Sequence, residues 1–214
     1  MTTPPAPRVV LASASPRRRD ILSGLGVSFT VVPSREPEPD RRTGEGVRRY
    51  AIRLARLKAR SVARRRPSAL VIGADTVVSV REHLLGKPAG ASDAARMLSL
   101  LSGRWHEVVT GVALIDGRAG REAAAAAVSR VHFRRLAARD IEWYLATGEH
   151  RDKAGAYAIQ GRASVFIDRI EGCYFNIVGF PVAAFDKLLR KLGYSASDLT
   201  TKTPRPKESR NISQ

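Results

Sequence analysis

Leu11-Ala12-Ser13-Ala14-Ser15-Pro16-Arg17-Arg18-Arg19 sets a short turn between an apolar run and a helix start. Arg8 to Ala12 reads as a buried strand, Ser15 as an N-cap, Pro16 as the first helical residue with its preset φ, and Gly24 or Gly26 as the stop. The first turn of that helix is unusual. Helix N-termini carry partial positive charge and favour Asp or Glu, yet Arg17, Arg18 and Arg19 stand there in succession. Such crowding is unfavourable unless an anion joins the cluster, and free backbone N–H groups at the same place bind one. A solvated basic face accounts for most arginine runs; here the coincidence of cap, proline and arginines favours a phosphate-binding turn.

Outward from that junction the chain alternates strands and helices, an α/β pattern. Val27 to Val32 reads as a strand, followed by a polar loop, Pro33 to Gly46, in which Pro33, Pro37 and Pro39 block regular structure. Glu36, Glu38 and Asp40 lie in that loop, where solvation is the ordinary reading. A basic helix runs from Val47 through Val62 and as far as Arg66, stopped by Pro67. Val47, Ala51, Leu54 and Lys58 share one face, so Lys58 extends the apolar stripe. Its stem either covers core while the ammonium reaches solvent, or the ammonium enters a site beside the first helix. Ala69 to Val80 is the most strand-like run and holds Asp75 and Thr76 between apolar residues. A carboxylate there needs a cation or an open cleft, and the neighbouring Gly73 and Thr76 favour the cleft over a structural ion pair.

Further on, Glu82 to Leu85 suggests a hairpin return, and the fixed turn Gly86-Lys87-Pro88 holds up a second lysine. Ser92 or Asp93 can cap a helix through Leu101, closed by Gly103. His106 to Ile115 and Val128 to Phe133 read as strands joined through Asp116-Gly117-Arg118 and an alanine run, with His106 taken as structural rather than as a base. Asp140 caps a helix through Thr147. Gly148 to Gly161 is a long segment of small and polar residues, the kind of loop that carries function. Val165 to Ile170 reads as a strand, Gly179-Phe180-Pro181 as a turn and Val182 to Leu192 as a closing amphipathic helix. One domain over residues 8–194 is expected, with a basic, disordered tail over 195–214.

The 214 residues, 43% of them hydrophobic, suffice for a real core. Nothing resembles a membrane span or a leader peptide, which points to a soluble, cytoplasmic protein. Cys173 is the single cysteine, excluding an internal disulfide and a cysteine-based zinc cluster. A net charge of +17 calls for an acidic partner, either nucleic acid or a polyphosphate. Nucleic acid is not expected, because aromatic residues make up only 6% of the chain and no recognised binding motif is present. Hydrolysis of a phosphate bond needs cations on the phosphate oxygens, carboxylates for a divalent metal, and a group that activates water. Arg17, Arg18, Lys58 and Lys87 can hold phosphates, while Glu38 and Asp75 can bind a hard cation or activate water. No P-loop is present.

Leu11 to Arg18, the helix ending at Lys58-Ala59, Ile72-Gly73-Ala74-Asp75-Thr76-Val77, Gly86-Lys87-Pro88, Leu101-Ser102-Gly103-Arg104, Thr110-Gly111-Val112, Asp152 to Tyr157 and Ile159-Gln160-Gly161 together resemble the Maf family of nucleotide pyrophosphatases, from about Val9 to Leu192. The resemblance implies a mixed α/β sheet in two lobes around a cleft, similar to inosine triphosphate pyrophosphatases. It also implies a house-cleaning hydrolase that splits a nucleoside triphosphate between the α and β phosphates with Mg²⁺ or Mn²⁺, and it favours a homodimer. By motif position Asp75 is the general base and a metal ligand with Glu38. Arg18, Thr76 and Gln160 are specificity positions, and Ser15, Arg17, Lys58 and Lys87 are phosphate contacts. Glu36 competes with Glu38, whose Pro37-Glu38-Pro39 context departs from the usual acidic pair; Ala158 and Phe180 replace the more usual glycine and leucine. Lys153, Ala156-Tyr157 and Gln160 resemble the group acting on dTTP and UTP rather than the sister group acting on 7-methyl-GTP. The glutamine amide offers both a donor and an acceptor to a uracil or thymine edge. The reading from another class is a nucleic-acid-binding or cell-division regulatory protein.

Overall fold

The computed structural model describes residues 7–81 and 83–200. Its strands are β1 (Arg8–Leu11), β2 (Phe29–Val31), β3 (Ala69–Val80), β4 (His83–Leu85), β5 (Trp105–Asp116), β6 (Arg121–Phe133) and β7 (Ile167–Glu171). The helices are α1 (Pro16–Gly24), α2 (Val47–Ala63), α3 (Ala91–Leu101), α4 (Ala138–Ala146), α5 (Tyr174–Val178) and α6 (Val182–Lys191). The strands form one sheet in the order β2-β1-β3-β5-β6-β7, with β4 paired to β3. β1 runs parallel to both β2 and β3, and the other pairs are antiparallel, so the sheet is mixed as expected.

β3 and β5 are long enough to serve two apolar clusters. One gathers Val78, Leu98, Phe133, Tyr144 and Phe166 around α3 and α4. The other gathers Leu11, Leu22, Ile72, Val112 and Phe185 around β1, α1 and α6. Helix α2 lies across the sheet at unusually close range. A Cβ on Gly73 would stand 2.3 Å from the Ala55 carbonyl oxygen, and one on Gly111 would stand 2.1 Å from that of Ala51. The two glycines therefore let helix backbone rest on sheet backbone. In the β3–β5 register Asp75 faces Gly111 and Thr76 faces Thr110.

Several local expectations are corrected. The alanine run Ala123 to Ala127 is no connection; it forms the middle of β6, where Ala124 and Ala126 pack into the clusters beneath α2. Small side chains suit a strand over which a helix passes closely. Ser15 occupies the N-cap of α1 but makes no side-chain cap bond. Gly90 and Ala137, not Ser92, Asp93 or Asp140, are the N-caps of α3 and α4. Asp93 and Asp140 sit inside the first turns and accept from the Ala89 and Ala137 N–H groups, reaching back as acidic residues there can. β7 starts at Ile167 because Arg162–Phe166 is a 3₁₀ turn. Residues 195–200 belong to the fold: Leu199 is buried in the α6 cluster, its carbonyl accepts from Ser28 N–H at 3.0 Å, and Thr200 bridges to Val27. The rest of the expected tail, residues 201–214, and Glu82 of the hairpin return lie outside the described residues.

His106 is 3% exposed, lies between Phe133 and Tyr157, and shares a 2.7 Å hydrogen bond with the Tyr157 hydroxyl. Burial pulls its pKa down to about 3, in keeping with a structural role. Among the described residues no helix is long and apolar enough to cross a membrane.

Candidate active site

A cleft of about 830 Å³ opens where β1 gives way to α1. Its position follows the general rule that α/β sheets bind ligands beyond the carboxyl ends of their parallel strands. One side is the turn after β1 with the start of α1. The other is the Gly86-Lys87 turn with residues 151–160, and the floor is β3.

The basic turn resolves its crowding by divergence. Arg18 points inward and is 9% exposed. Its Nε donates to the Gly179 carbonyl at 2.9 Å, Nη1 to Ser13 Oγ at 2.9 Å and Nη2 to Thr76 Oγ1 at 3.1 Å. All three acceptors are neutral, so the guanidinium keeps its charge for the cleft. Ser15 and Arg17 line the cleft, whereas Arg19 is exposed and does not. No acidic residue stands in the first turn of α1, and no side chain caps it.

The acidic side depends on the proline-rich loop, which is pinned along α2. Ser34 Oγ meets Ser61 Oγ at 2.8 Å, Glu36 pairs with Arg64 at 3.0 Å, and Glu45 holds Arg53 with two oxygens. Between these ties Lys58 Nζ donates to Glu38 Oε1 at 2.7 Å and to Asp75 Oδ1. The ammonium therefore turns into the site, as the stripe position of Lys58 allowed. Glu36 faces Arg64 and Glu38 faces Asp75 across that ammonium, a distinction that two glutamates two residues apart could not reveal in sequence.

The two carboxylates are driven in opposite directions. Asp75 is 6% exposed, and burial raises its pKa against the pull of Lys58 and Arg18. Burial also acts on Glu38, but the Lys58 hydrogen bond and charge outweigh it and hold its pKa below the usual value. The protonated form of Asp75 is thus favoured by burial, and the charged form of Glu38 by the ammonium. Asp75 Oδ1 is engaged by Lys58, while Oδ2 has no hydrogen bond among the described residues.

Lys87 and Gln160 complete the far side, both exposed and both lining the cleft. Lys87 lies 3.8 Å from Asp152. The segment that carries Gln160 is conformationally loaded. Asp152 and Ala156 adopt φ of 56° and 62°, rare for residues with a side chain, and the Gly155 N–H ties the segment to Gly86 O at 3.1 Å. Sequence reading overlooked Ser13, Gly179 and Asn176. Gly179 acts through a backbone carbonyl and Asn176 through contacts 66 residues away, neither with a local signal, while Ser13 accepts from Arg18 five residues on, a pairing that the basic turn itself could have suggested.

Fold and site together define an α/β protein whose cleft sets a crowd of cations against two carboxylates bridged by a lysine. A family model described as Maf-like protein matches residues 8–192, and the chain belongs to the Maf family. A Moorella thermoacetica protein named dTTP/UTP pyrophosphatase is 49% identical over 187 residues, covering 87% of this chain and 95% of that one. A Thermococcus gammatolerans protein of the same name is 51% identical over 186 residues, covering 87% and 97%. A crystal structure titled nucleoside-triphosphatase / dITP/XTP pyrophosphatase from Mycobacterium abscessus aligns with a TM-score of 0.40 at 19% identity, covering 61% of this chain and 76% of that one, a likeness too low to bear on the site.

Proposed function

We propose that the protein hydrolyses dTTP and UTP to the nucleoside monophosphate and pyrophosphate. The observation that carries this reading is the buried Asp75 with its raised pKa, joined through Lys58 to Glu38 on the floor of a cation-lined cleft. The name shared by the relatives at 49% and 51% identity supports the substrate. Arg17, Lys87 and the free N–H groups of the α1 start receive the triphosphate oxygens. Asp75 takes a proton from a water at Oδ2. The water oxygen bonds to the α phosphorus, the bond from that phosphorus to the α–β bridging oxygen breaks, and pyrophosphate leaves with the electron pair. Lys58 holds Asp75 in place and sets positive charge beside the leaving oxygens.

A divalent cation belongs to this reading. Among the described residues no group of three or more His, Cys, Asp or Glu stands ready to hold a metal by itself. Asp75 and Glu38 supply two hard oxygen donors, which fits Mg²⁺ or Mn²⁺ arriving with a triphosphate and keeping phosphate and water as its other ligands. When bound there, the cation neutralises charge on the phosphate oxygens. A homodimer and a cytoplasmic setting are part of the same proposal and are supported by the family resemblance.

The test is a panel of dTTP, UTP, CTP, GTP, ATP and 7-methyl-GTP with Mg²⁺ or Mn²⁺, identifying products as well as rates. Monophosphate and pyrophosphate from dTTP or UTP are expected, and Asp75→Asn abolishes them with the circular dichroism spectrum unchanged. Preference for 7-methyl-GTP would overturn the substrate, and activity retained by Asp75→Asn would remove Asp75 as base.

A further inference from the structure

We infer that Thr110 and Asn176 fix the direction of the Thr76 hydroxyl, so that Thr76 meets the substrate as an acceptor only and selects a nucleobase bearing a ring N–H. The inference rests on the proposed nucleotide hydrolysis and concerns how the base is read.

Thr76 and Thr110 are direct cross-strand partners, and their hydroxyl oxygens lie 2.9 Å apart. Arg18 Nη2 approaches Thr76 Oγ1 at 3.1 Å, and Thr110 Oγ1 lies 3.0 Å from the Asn176 carbonyl oxygen. A hydroxyl has one proton to give, a guanidinium accepts nothing and a carbonyl donates nothing. Only one arrangement puts a proton in every contact. Arg18 donates to Thr76, Thr76 donates to Thr110, and Thr110 donates to Asn176. Reversing the central bond would leave the Thr110 and Asn176 oxygens facing each other at 3.0 Å with no proton between them. Because all three bonds run the same way, each also polarises the next.

The anchor of this relay is rigid. Asn176 is fully buried, and its Nδ2 donates to Val108 O and Ser129 Oγ, each at 2.9 Å. Its Oδ1 accepts from the Thr110 N–H at 3.2 Å. Thr110 is likewise fully buried, so water does not compete for its hydroxyl.

At the cleft end, Thr76 is the one β3 residue that is not buried. Its proton is committed inward and one lone pair is taken by Arg18, which leaves one lone pair toward the cleft. Beside it, Arg18 Nη1 and Nη2 each retain a second N–H. An acceptor next to donors matches an imide, in which a ring N–H stands next to a carbonyl, as in uracil and thymine. Cytosine has a bare ring nitrogen at that position, which would set lone pair against lone pair. Gln160 can turn its amide to suit either base, so the fixed polarity of Thr76 makes the distinction. Thr110 is thus a positioning residue that acts through Thr76.

The experiment measures kcat and KM for UTP and CTP with the full chain, its Thr110→Val and Thr110→Ser variants, and Thr76→Ala. Wild type is expected to prefer UTP. Valine keeps the volume of Thr110 and frees the Thr76 proton to swing into the cleft, so the UTP-to-CTP ratio of kcat/KM falls by roughly tenfold. That change is carried by KM, with CTP improving, and Thr110→Ser restores the ratio. Thr76→Ala removes the acceptor without touching β5 and lowers UTP turnover with no gain for CTP, an arm that stands even if Thr110→Val fails to fold. Equal losses for both nucleotides in Thr110→Val, or wild type that treats CTP as well as UTP, overturns the inference while leaving the hydrolase intact. Failure of wild type to hydrolyse either nucleotide overturns the hydrolase reading and this inference with it.

Discussion

Replacing Gly73 by alanine tests whether the spacing of α2 from the sheet sets the chemistry. The added Cβ would lie 2.3 Å from Ala55 O, 2.7 Å from Ala59 N and 2.8 Å from Ala59 Cβ, where 3.4 Å is ordinary contact. Two of these atoms are helix backbone, so no rotamer relieves them, and α2 must lift by about 1 Å. Lys58 precedes Ala59 and is carried with it, away from Asp75. Overpacking of this kind costs roughly 1–3 kcal/mol, or a fall in Tm of about 2–12 °C. A displacement near 1 Å at reacting groups costs on the order of 100-fold in rate. Gly73→Ala is therefore expected to lose far more kcat/KM than its stability loss explains. The assay pairs thermal unfolding with pyrophosphate release from UTP. Ala94→Val, overpacking the α3 cluster away from the cleft, serves as the comparison with a similar fall in Tm and normal turnover. Ala59→Gly removes only one of the three clashes and does not rescue Gly73→Ala. If Gly73→Ala keeps wild-type turnover and Tm, the close approach does not govern Lys58 and the reasoning fails.

Further tests follow from the same geometry. His106 has a folded pKa of about 3 against an ordinary 6.5, so the unfolded chain takes up the proton first and stability is lost as pH falls below 6.5. Between about pH 7.5 and about pH 5 wild type should lose about 2 kcal/mol more than His106→Gln in urea unfolding, and equal losses would acquit His106. Glu38→Gln should raise the Mg²⁺ concentration needed for half-maximal activity, whereas Glu36→Gln, paired outward with Arg64, should not. The opposite order would reassign the acidic partner. Arg18→Lys retains the charge but cannot span Gly179 O, Ser13 Oγ and Thr76 Oγ1. Its kcat/KM for UTP should drop at least about tenfold, and near-normal kinetics would show the fork to be dispensable.

What the sequence revealed follows the range of each interaction. The β1 turn, the α2 stripe ending at Lys58 and the long β3 run around Asp75 are periodic or local features, and the residues chosen from them line a single cleft. The alanine run was obscure because alanine has little preference for strands; only the nearness of α2 explains it. Asp93 and Asp140 each lie three residues inside the observed cap, because an acidic group in the first turn can reach back to an N–H at or before the cap instead of capping the helix itself. Leu199 was hidden in a polar stretch, where one apolar residue carries no periodicity. The Thr110 and Asn176 contacts span 34 and 66 residues, beyond any spacing rule.

The hydrogen bond from Arg18 to the Gly179 carbonyl joins residues 161 positions apart. During synthesis the strand that bears Asp75 and the helix that bears Lys58 leave the ribosome long before the wall that steadies Arg18. A nascent or clipped chain that stops short of α5 thus owns the carboxylates yet lacks one of the three neutral acceptors that seat Arg18. The seat of Arg18 is completed only when the segment after α5 docks on the start of α1.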